Sequence, residues 1–214
     1  DLPHYPEANP LFVFCHGGLG CGTNVWFPYA HVTVADHNCD FISPDCPNPE
    51  TPRYEAYKAV LVDRINKKWN KKQPIILAGH ALGAYIFFRM LIECQDEEWS
   101  KNVKGFFIIS PVTSMNLCSP EQRALLPGFT EINFQKIAKL PIKFRHIYNV
   151  NDIVLGPKSS EFLQKVMTDA GSDYKVTPLN TDKYDSHFGG FLHYSVKEIN
   201  DGLVSLLHEI DPSI

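Results

Sequence analysis

The chain has 214 residues, of which 44% are hydrophobic and 21% are charged, and its formal net charge is −4. These values are typical of a globular protein, and the length suits one domain with a sizeable core, so we expect a single domain over residues 1–214. The negative charge argues against nucleic-acid binding, which requires a basic surface. No apolar run approaches the ~18 residues that a membrane-spanning helix needs, so we expect no membrane partner.

The chain contains 6 cysteines, and an even number permits a disulfide framework. A domain of this length does not need disulfides for stability, and several of the cysteines lie in apolar stretches. We therefore expect reduced cysteines and a cytoplasmic location.

Short apolar runs alternate with amphipathic ones along the chain, which is the pattern of a parallel sheet covered by helices. Strands are predicted at residues 11–15, 40–43, 74–78, 103–109, 142–148 and 174–178, and helices at 54–69, 84–94, 119–126, 131–140, 159–170 and 194–207. Because crossover connections between parallel strands are right-handed, the elements predict a three-layer α/β/α sandwich with a mostly parallel sheet.

The sharpest motif is residues 79–83, Gly-His-Ala-Leu-Gly, which follow an apolar strand and precede a helix. This is the setting of the G-x-S-x-G nucleophile elbow, a strained turn that exposes a reactive serine. The outer glycines fit it because their neighbours pack too closely for side chains. A glycine-bounded turn without chemistry is the alternative. Ala81 occupies the central position, where the serine should be.

Two further residues follow strand ends in the order that a catalytic triad of this type requires, nucleophile, then acid, then histidine. Asp152 comes just after the strand at 142–148, and His187 lies in a loop before the last helix. Separately, each has a simpler interpretation, a turn aspartate or a surface histidine. Together with the elbow they predict an active site in which His187 is the base and Asp152 orients it.

An oxyanion hole needs two backbone N–H groups that point at one atom. We expect one from Leu82 and the other from Gly18 or Leu19, in the glycine-rich loop that begins at His16. As a phosphate loop this segment lacks the lysine after the second glycine, and as a dinucleotide fingerprint it lacks the third glycine.

No metal site is expected, since no histidine pair has i, i+4 spacing and no CxxC pair is present. No cofactor is expected either. A substrate pocket is predicted near the elbow and the loops that face it. Its candidate residues are His16, Trp26, Phe27, His80 and Phe188.

The sequence resembles the small serine hydrolases related to retinoblastoma-binding protein nine and to bacterial YdeN. The resemblance runs from about residue 11 to residue 207. It rests on Gly17-Gly18 with Trp26, Cys46-Pro47-Asn48-Pro49 with Arg53, residues 79–83, Ile109-Ser110 with Thr113-Ser114, Asn151-Asp152 and His187-Phe188. It implies an α/β-hydrolase fold with a small cap, hydrolysis of small esters, amides or thioesters without a cofactor, and triad roles for Asp152 and His187.

Ala81 departs from that pattern, because a methyl group cannot attack a carbonyl. One explanation is an experimental Ser→Ala substitution that inactivates a serine hydrolase. The other is a natural pseudohydrolase that binds a small molecule or peptide in a retained cleft. The intact Asp152, His187 and elbow glycines favour the first, because a chain freed from catalysis would be expected to lose them. No motif for a protein partner is present.

Overall fold

One six-stranded parallel sheet organises the molecule in a computed structural model, which describes residues 9–23, 25–124, 128–189 and 193–214. The strands are β1 (Leu11–Cys15), β2 (Asp40–Ile42), β3 (Ile75–His80), β4 (Val103–Ile109), β5 (Lys143–Asn149) and β6 (Tyr174–Leu179). Their order in the sheet is β2-β1-β3-β4-β5-β6, and every neighbouring pair is parallel.

The helices are α1 (Phe27–Asp36), α2 (Tyr54–Lys68), α3 (Leu82–Glu93), α4 (Glu98–Lys101), α5 (Pro120–Ala124), α6 (Phe134–Ile137), α7 (Pro157–Asp169) and α8 (Lys197–Ile210). Helices α1 and α8 share a hydrophobic core on one face of the sheet. On the other face, α2, α3, α6 and α7 share a second core. The three-layer sandwich is therefore confirmed. In the described part of the chain, no helix has both the length and the apolar character to cross a membrane.

The central strands are apolar without interruption because both of their faces are covered. All five residues of β1 are buried, and so are all six of β3. The register pairs Cys15 with Gly79, His80 with Ile109, and Ile109 with Ile147. The carboxyl ends of β1, β3, β4 and β5 therefore end side by side, and the loops that follow them meet at one edge.

The structure differs from the sequence prediction mainly in its short helices. Helix α1 was not predicted, although Phe27, Ala30 and Val34 are buried at helical spacing. Helix α4 was not predicted either, and the helices expected at 119–126 and 131–140 are reduced to α5 and α6. Residues 125 and 126 of the first of these lie outside the described part. The strands were placed within two residues of their observed ends.

Candidate active site

Ala81 connects β3 to α3 in a backbone conformation that side chains rarely adopt, with φ 49° and ψ −112°. Such a conformation costs roughly 1–3 kcal/mol and persists only where the surroundings impose it. The N–H of Ala81 donates to the Ile109 carbonyl over 2.9 Å, and its carbonyl accepts from the N–H of Val112 over 3.1 Å. The end of β4 thus holds the strained turn from both sides.

Close packing around this turn explains both elbow glycines. A Cβ on Gly79 would lie 2.7 Å from the backbone of Ala84, and one on Gly83 would lie 2.1 Å from the carbonyl oxygen of Cys15. Neither contact can be relieved without moving backbone. The predicted steric requirement for glycine is therefore confirmed at both positions.

Asp152 and His187 form a hydrogen-bonded pair beside the elbow. The Nδ1–H of His187 donates to Oδ2 of Asp152 over 2.7 Å, and both residues are buried. The N–H groups of Val154 and Leu155 donate to Oδ1 over 2.8 and 3.0 Å. Burial of the carboxyl opposes its ionisation, but the hydrogen bond with His187 and these two amides lower the pKa of Asp152 overall. Because a carboxylate only accepts, Nδ1 of His187 carries a proton, and Nε2 faces away from Asp152.

His80 fastens the backbone of His187 to the elbow. Its Nε2–H donates to the His187 carbonyl over 2.7 Å, and the two rings lie 5.0 Å apart. Burial lowers the pKa of His80 to about 3, so the ring stays neutral at ordinary pH. Asp185 holds the same loop by accepting from the N–H groups of His187 and Gly189 over 3.0 and 3.1 Å.

The amides predicted for the oxyanion hole are only partly free. The N–H of Leu19 donates to the carbonyl of Pro49 over 2.9 Å, so it is not available to a ligand. The prediction of Leu19 as an oxyanion donor is therefore wrong. The amides of Gly18 and Leu82 have no acceptor among the residues that the structure describes. A Cβ on Gly17 would lie 3.3 Å from that of Ala81, so the loop passes close to the elbow.

A cleft of about 360 Å³ opens over this group, a volume typical of small-molecule sites. Of the predicted site and pocket residues, the structure brings to its wall His16, Gly18, Leu19, Phe27, His80, Ala81, Leu82 and His187. The prediction that Trp26 and Phe188 line the pocket is wrong, because both are 0% exposed in the core shared by α1 and α8. Trp26 stacks on Phe27 with ring centroids 4.1 Å apart, and so lies behind the wall.

Other wall residues were not indicated by the sequence. They come from the segments that follow β2, β4 and β5, and they include Pro49, Pro52, Val112, Cys118, Gln122 of α5, Val154 and Leu155. Val154 and Leu155 lie two and three residues after Asp152, so its assignment could have pointed to them. Within the described ranges, no three His, Cys, Asp or Glu side chains are grouped in a way that could hold a metal ion.

Comparison with protein families matches residues 54–182 to the lipid-droplet associated hydrolase family, which is more than half of the chain. Together with the similarity to YdeN-like structures, this match supports the hydrolase family that the motifs suggested. Comparison with curated protein sequences finds no match.

Among solved structures, the chain is similar to the ydeN gene product from B. subtilis, with 19% identity, a TM-score of 0.71, and coverage of 93% of this chain and 98% of that one. It is also similar to Est1E from Butyrivibrio proteoclasticus, determined with ferulic acid bound, at 13% identity and a TM-score of 0.65, covering 97% and 90%. The esterase EaEST from Exiguobacterium antarcticum matches at 13% identity and a TM-score of 0.65, covering 94% and 92%. These similarities show that the fold is that of the α/β-hydrolases.

Proposed function

The chain belongs to the lipid-droplet associated hydrolase family, and from that premise we propose that its cleft is the active site of a serine hydrolase whose nucleophile position is residue 81. With serine there, the protein would hydrolyse esters, amides or thioesters of a small acyl group. With Ala81, it binds such a compound and does not turn it over. The observation that carries the proposal is that the strained Ala81 and His187, which is paired with Asp152, line one cleft.

The roles follow from the hydrogen bonds. Nε2 of His187 would accept the proton of a hydroxyl at position 81 as the oxygen attacks the acyl carbon, and Asp152 would stabilise the resulting imidazolium. The amides of Leu82 and Gly18 would hold the oxyanion. The protonated His187 would then release the leaving group, and a water activated by the same ring would cleave the acyl-enzyme. Loss of a triad nucleophile costs about 10⁶ in turnover in serine proteases, which is why we expect Ala81 to leave the chain inactive or nearly so.

The wall of the cleft supports a neutral, largely apolar acyl group as substrate. Of the described residues that form the wall, Glu50 and Asp185 carry a formal charge and both are acidic, whereas none is Lys or Arg. Most of the others are apolar. An anionic acyl group would meet two negative charges with no cation to offset them.

A natural pseudohydrolase is the second candidate, and Ala81 itself favours it. In that case the cleft retains a ligand-binding function alone, and the natural gene encodes alanine at position 81. A serine codon there would eliminate this candidate and would identify Ala81 as an introduced change.

The decisive experiment restores the hydroxyl with Ala81→Ser. We expect this variant to label with a fluorophosphonate probe and to hydrolyse p-nitrophenyl acetate, whereas the Ala81 chain does neither at a comparable rate. The matched control is Ala81→Ser combined with His187→Gln, which keeps the hydroxyl and removes the base. If the Ala81→Ser variant has the circular dichroism of the starting chain and shows neither labelling nor hydrolysis, the proposal is wrong.

The charge of the wall makes a separate prediction for the Ala81→Ser variant. It should hydrolyse p-nitrophenyl acetate with a kcat/KM at least about tenfold above that for the anionic mono-p-nitrophenyl succinate, because two carboxylates repel the second ester. A Glu50→Gln substitution should narrow the difference, and equal kcat/KM values for the two esters would contradict the assignment of a neutral substrate.

A further inference from the structure

The histidine of the elbow, His80, has no part in the chemistry proposed above, but it contacts two of the loops that surround that chemistry. It is the last residue of β3, it directly precedes Ala81, and it is buried. A Cβ on Gly17 would lie 3.5 Å from its Nδ1, so the glycine-rich loop passes close to that side of the ring. Its Nε2–H donates to the carbonyl of His187 over 2.7 Å. One side chain therefore lies between the elbow, the glycine-rich loop and the loop that carries the base.

The loop that carries the base, residues 185–189, takes its shape from hydrogen bonds to its first residue. The carbonyl of Asp185 accepts from the N–H of Phe188 over 2.9 Å. The carboxylate of Asp185 accepts from the N–H groups of His187 and Gly189 over 3.0 and 3.1 Å. All of these bonds lie within the loop, so they define its shape but leave open where it lies relative to the elbow.

Contacts with other segments place this loop. The N–H of Ile153 donates to the hydroxyl of Ser186 over 3.1 Å, and Nδ1 of His187 lies 2.7 Å from Oδ2 of Asp152. These two bonds fix the base relative to the acid. Among the hydrogen bonds between described residues, that from His80 alone joins the loop to the elbow. The distance from the base to position 81 therefore depends on His80.

The peptide bond after His187 shows what this hydrogen bond restrains. Its carbonyl accepts from His80 and its N–H donates to Asp185, so its plane is held from both ends. The next residue, Phe188, has φ 55°, which is unfavourable for a bulky side chain, and its ring is fixed in the core shared by α1 and α8. Without the bond from His80, this plane can rotate to relieve the strain at Phe188, and the ring of His187 turns with it.

We propose that His80 is a positioning residue that sets the distance between the base, His187, and the reacting atom at position 81. It acts through the backbone of His187 and not on the substrate, and the inference rests on the proposed function because it takes His187 as the base. Trp26 packs edge-on against the His80 ring, with centroids 6.1 Å apart. Burial, and next the nearby His187, lowers the pKa of His80 to about 3, so it adds no positive charge beside a protonated His187.

The kinetic test uses the Ala81→Ser background and p-nitrophenyl acetate. His80→Phe keeps a ring and removes the donor. We expect it to reduce kcat about 10²-fold and to leave KM within about twofold, because a misplacement of about 1 Å slows the reaction without removing a substrate contact. The matched variant His80→Gln keeps an amide N–H that reaches the same carbonyl, so its kcat should stay within about fivefold of the background. Each kcat is expressed per folded molecule, as determined by circular dichroism.

A structural test needs no activity and uses the chain as it stands. In crystal structures, the His80→Phe variant should show the ring of His187 displaced from Ala81 by about 1 Å, with its hydrogen bond to Asp152 retained. The His80→Gln variant should show no displacement. If His80→Phe does not fold, His80→Asn replaces it in both tests, because its shorter amide does not reach the carbonyl of His187.

The two tests separate this inference from the proposed function. An unchanged position of His187 in His80→Phe overturns the inference, and so does an equal loss of kcat in His80→Gln and His80→Phe, which would show that the ring acts only by packing. An inactive Ala81→Ser variant refutes the proposed function alone, and the crystal structures then decide whether His80 positions His187.

Discussion

Two buried histidines, His187 and His146, both hydrogen-bond to side chains but lie in very different settings. His187 contacts Asp152 and forms part of the cleft wall. His146, on β5, lies with Nδ1 2.5 Å from the hydroxyl of Tyr174 and Nε2 3.2 Å from the hydroxyl of Ser160. On distances alone, the Ser160–His146 pair resembles a nucleophile with its base.

The difference between these histidines lies in charge and access. His146 has neutral partners only, and its burial lowers its pKa to about 3, so it cannot take up a proton from Ser160 near neutral pH. His187 contacts a carboxylate, and its Nε2 has no hydrogen-bond partner among the described residues. A serine close to a histidine is thus insufficient for catalysis, since the ring must also be reachable and able to hold positive charge.

The largest expected effect is the difference in kcat between substitutions of His187 and of His146. In the Ala81→Ser background, His187→Gln should reduce kcat for p-nitrophenyl acetate by about 10⁵–10⁶, because no other group takes the proton of the hydroxyl. His146→Gln, measured per folded molecule, should leave kcat within about threefold. Steady-state kinetics with active-site titration tests both, and a comparable loss in the two variants would mean that His146 takes part in the reaction.

Replacing the carboxylate of Asp152 should reduce kcat by a smaller factor in the same Ala81→Ser background. Asp152→Asn should reduce kcat by about 10⁴, as the equivalent change does in serine proteases, because the amide favours the wrong tautomer of His187. The amide oxygen can still accept from Val154 and Leu155, so the loop should keep its shape. A reduction of less than tenfold, with the fold intact, would show that His187 does not depend on Asp152.

The burial of His146 should make the free energy of unfolding depend on pH in the acid range. Its pKa is about 3 in the folded chain and about 6.5 when unfolded, so the unfolded state binds the proton more readily. The free energy of unfolding is therefore unaffected by this group well above pH 6.5, and it decreases as the pH falls from 6.5 toward 3. His146 should contribute about 2–3 kcal/mol of this loss between pH 6.5 and 4.5. Urea unfolding should show a shallower pH dependence for His146→Gln than for the starting chain, and an unchanged slope would contradict the neutral buried state.

Much of this arrangement could be predicted from the sequence because local patterns encode it. The strands were found from apolar runs, and the elbow from Gly79 and Gly83, whose Cβ positions are occupied by backbone. Asp152 and His187 were indicated by chain order and strand ends. Their contact depends on loops that bring residues 35 positions apart to 2.7 Å, and the sequence suggested it only through that order.

Other features depend on tertiary contacts that leave no local pattern. The bond from Leu19 to Pro49 removes one predicted oxyanion donor, and it joins two loops that are distant in sequence. Trp26 was expected in the pocket because helix α1 was not recognised, and the helix turns it into the core. The role of His80 was likewise hidden, since its partner is a backbone carbonyl 107 residues away.

The smallest expected effects concern the two hydroxyls around His146. Tyr174→Phe leaves Nδ1 of a buried ring without a partner and should lower the free energy of unfolding by roughly 1–3 kcal/mol. Ser160→Ala removes the longer bond and should cost about 1 kcal/mol. Both are measured by urea unfolding at pH 7. In the Ala81→Ser background neither should change kcat by more than about twofold, because stability and not catalysis depends on this cluster. A large loss of kcat in Ser160→Ala would identify a second nucleophile and remove the distinction between the two histidines.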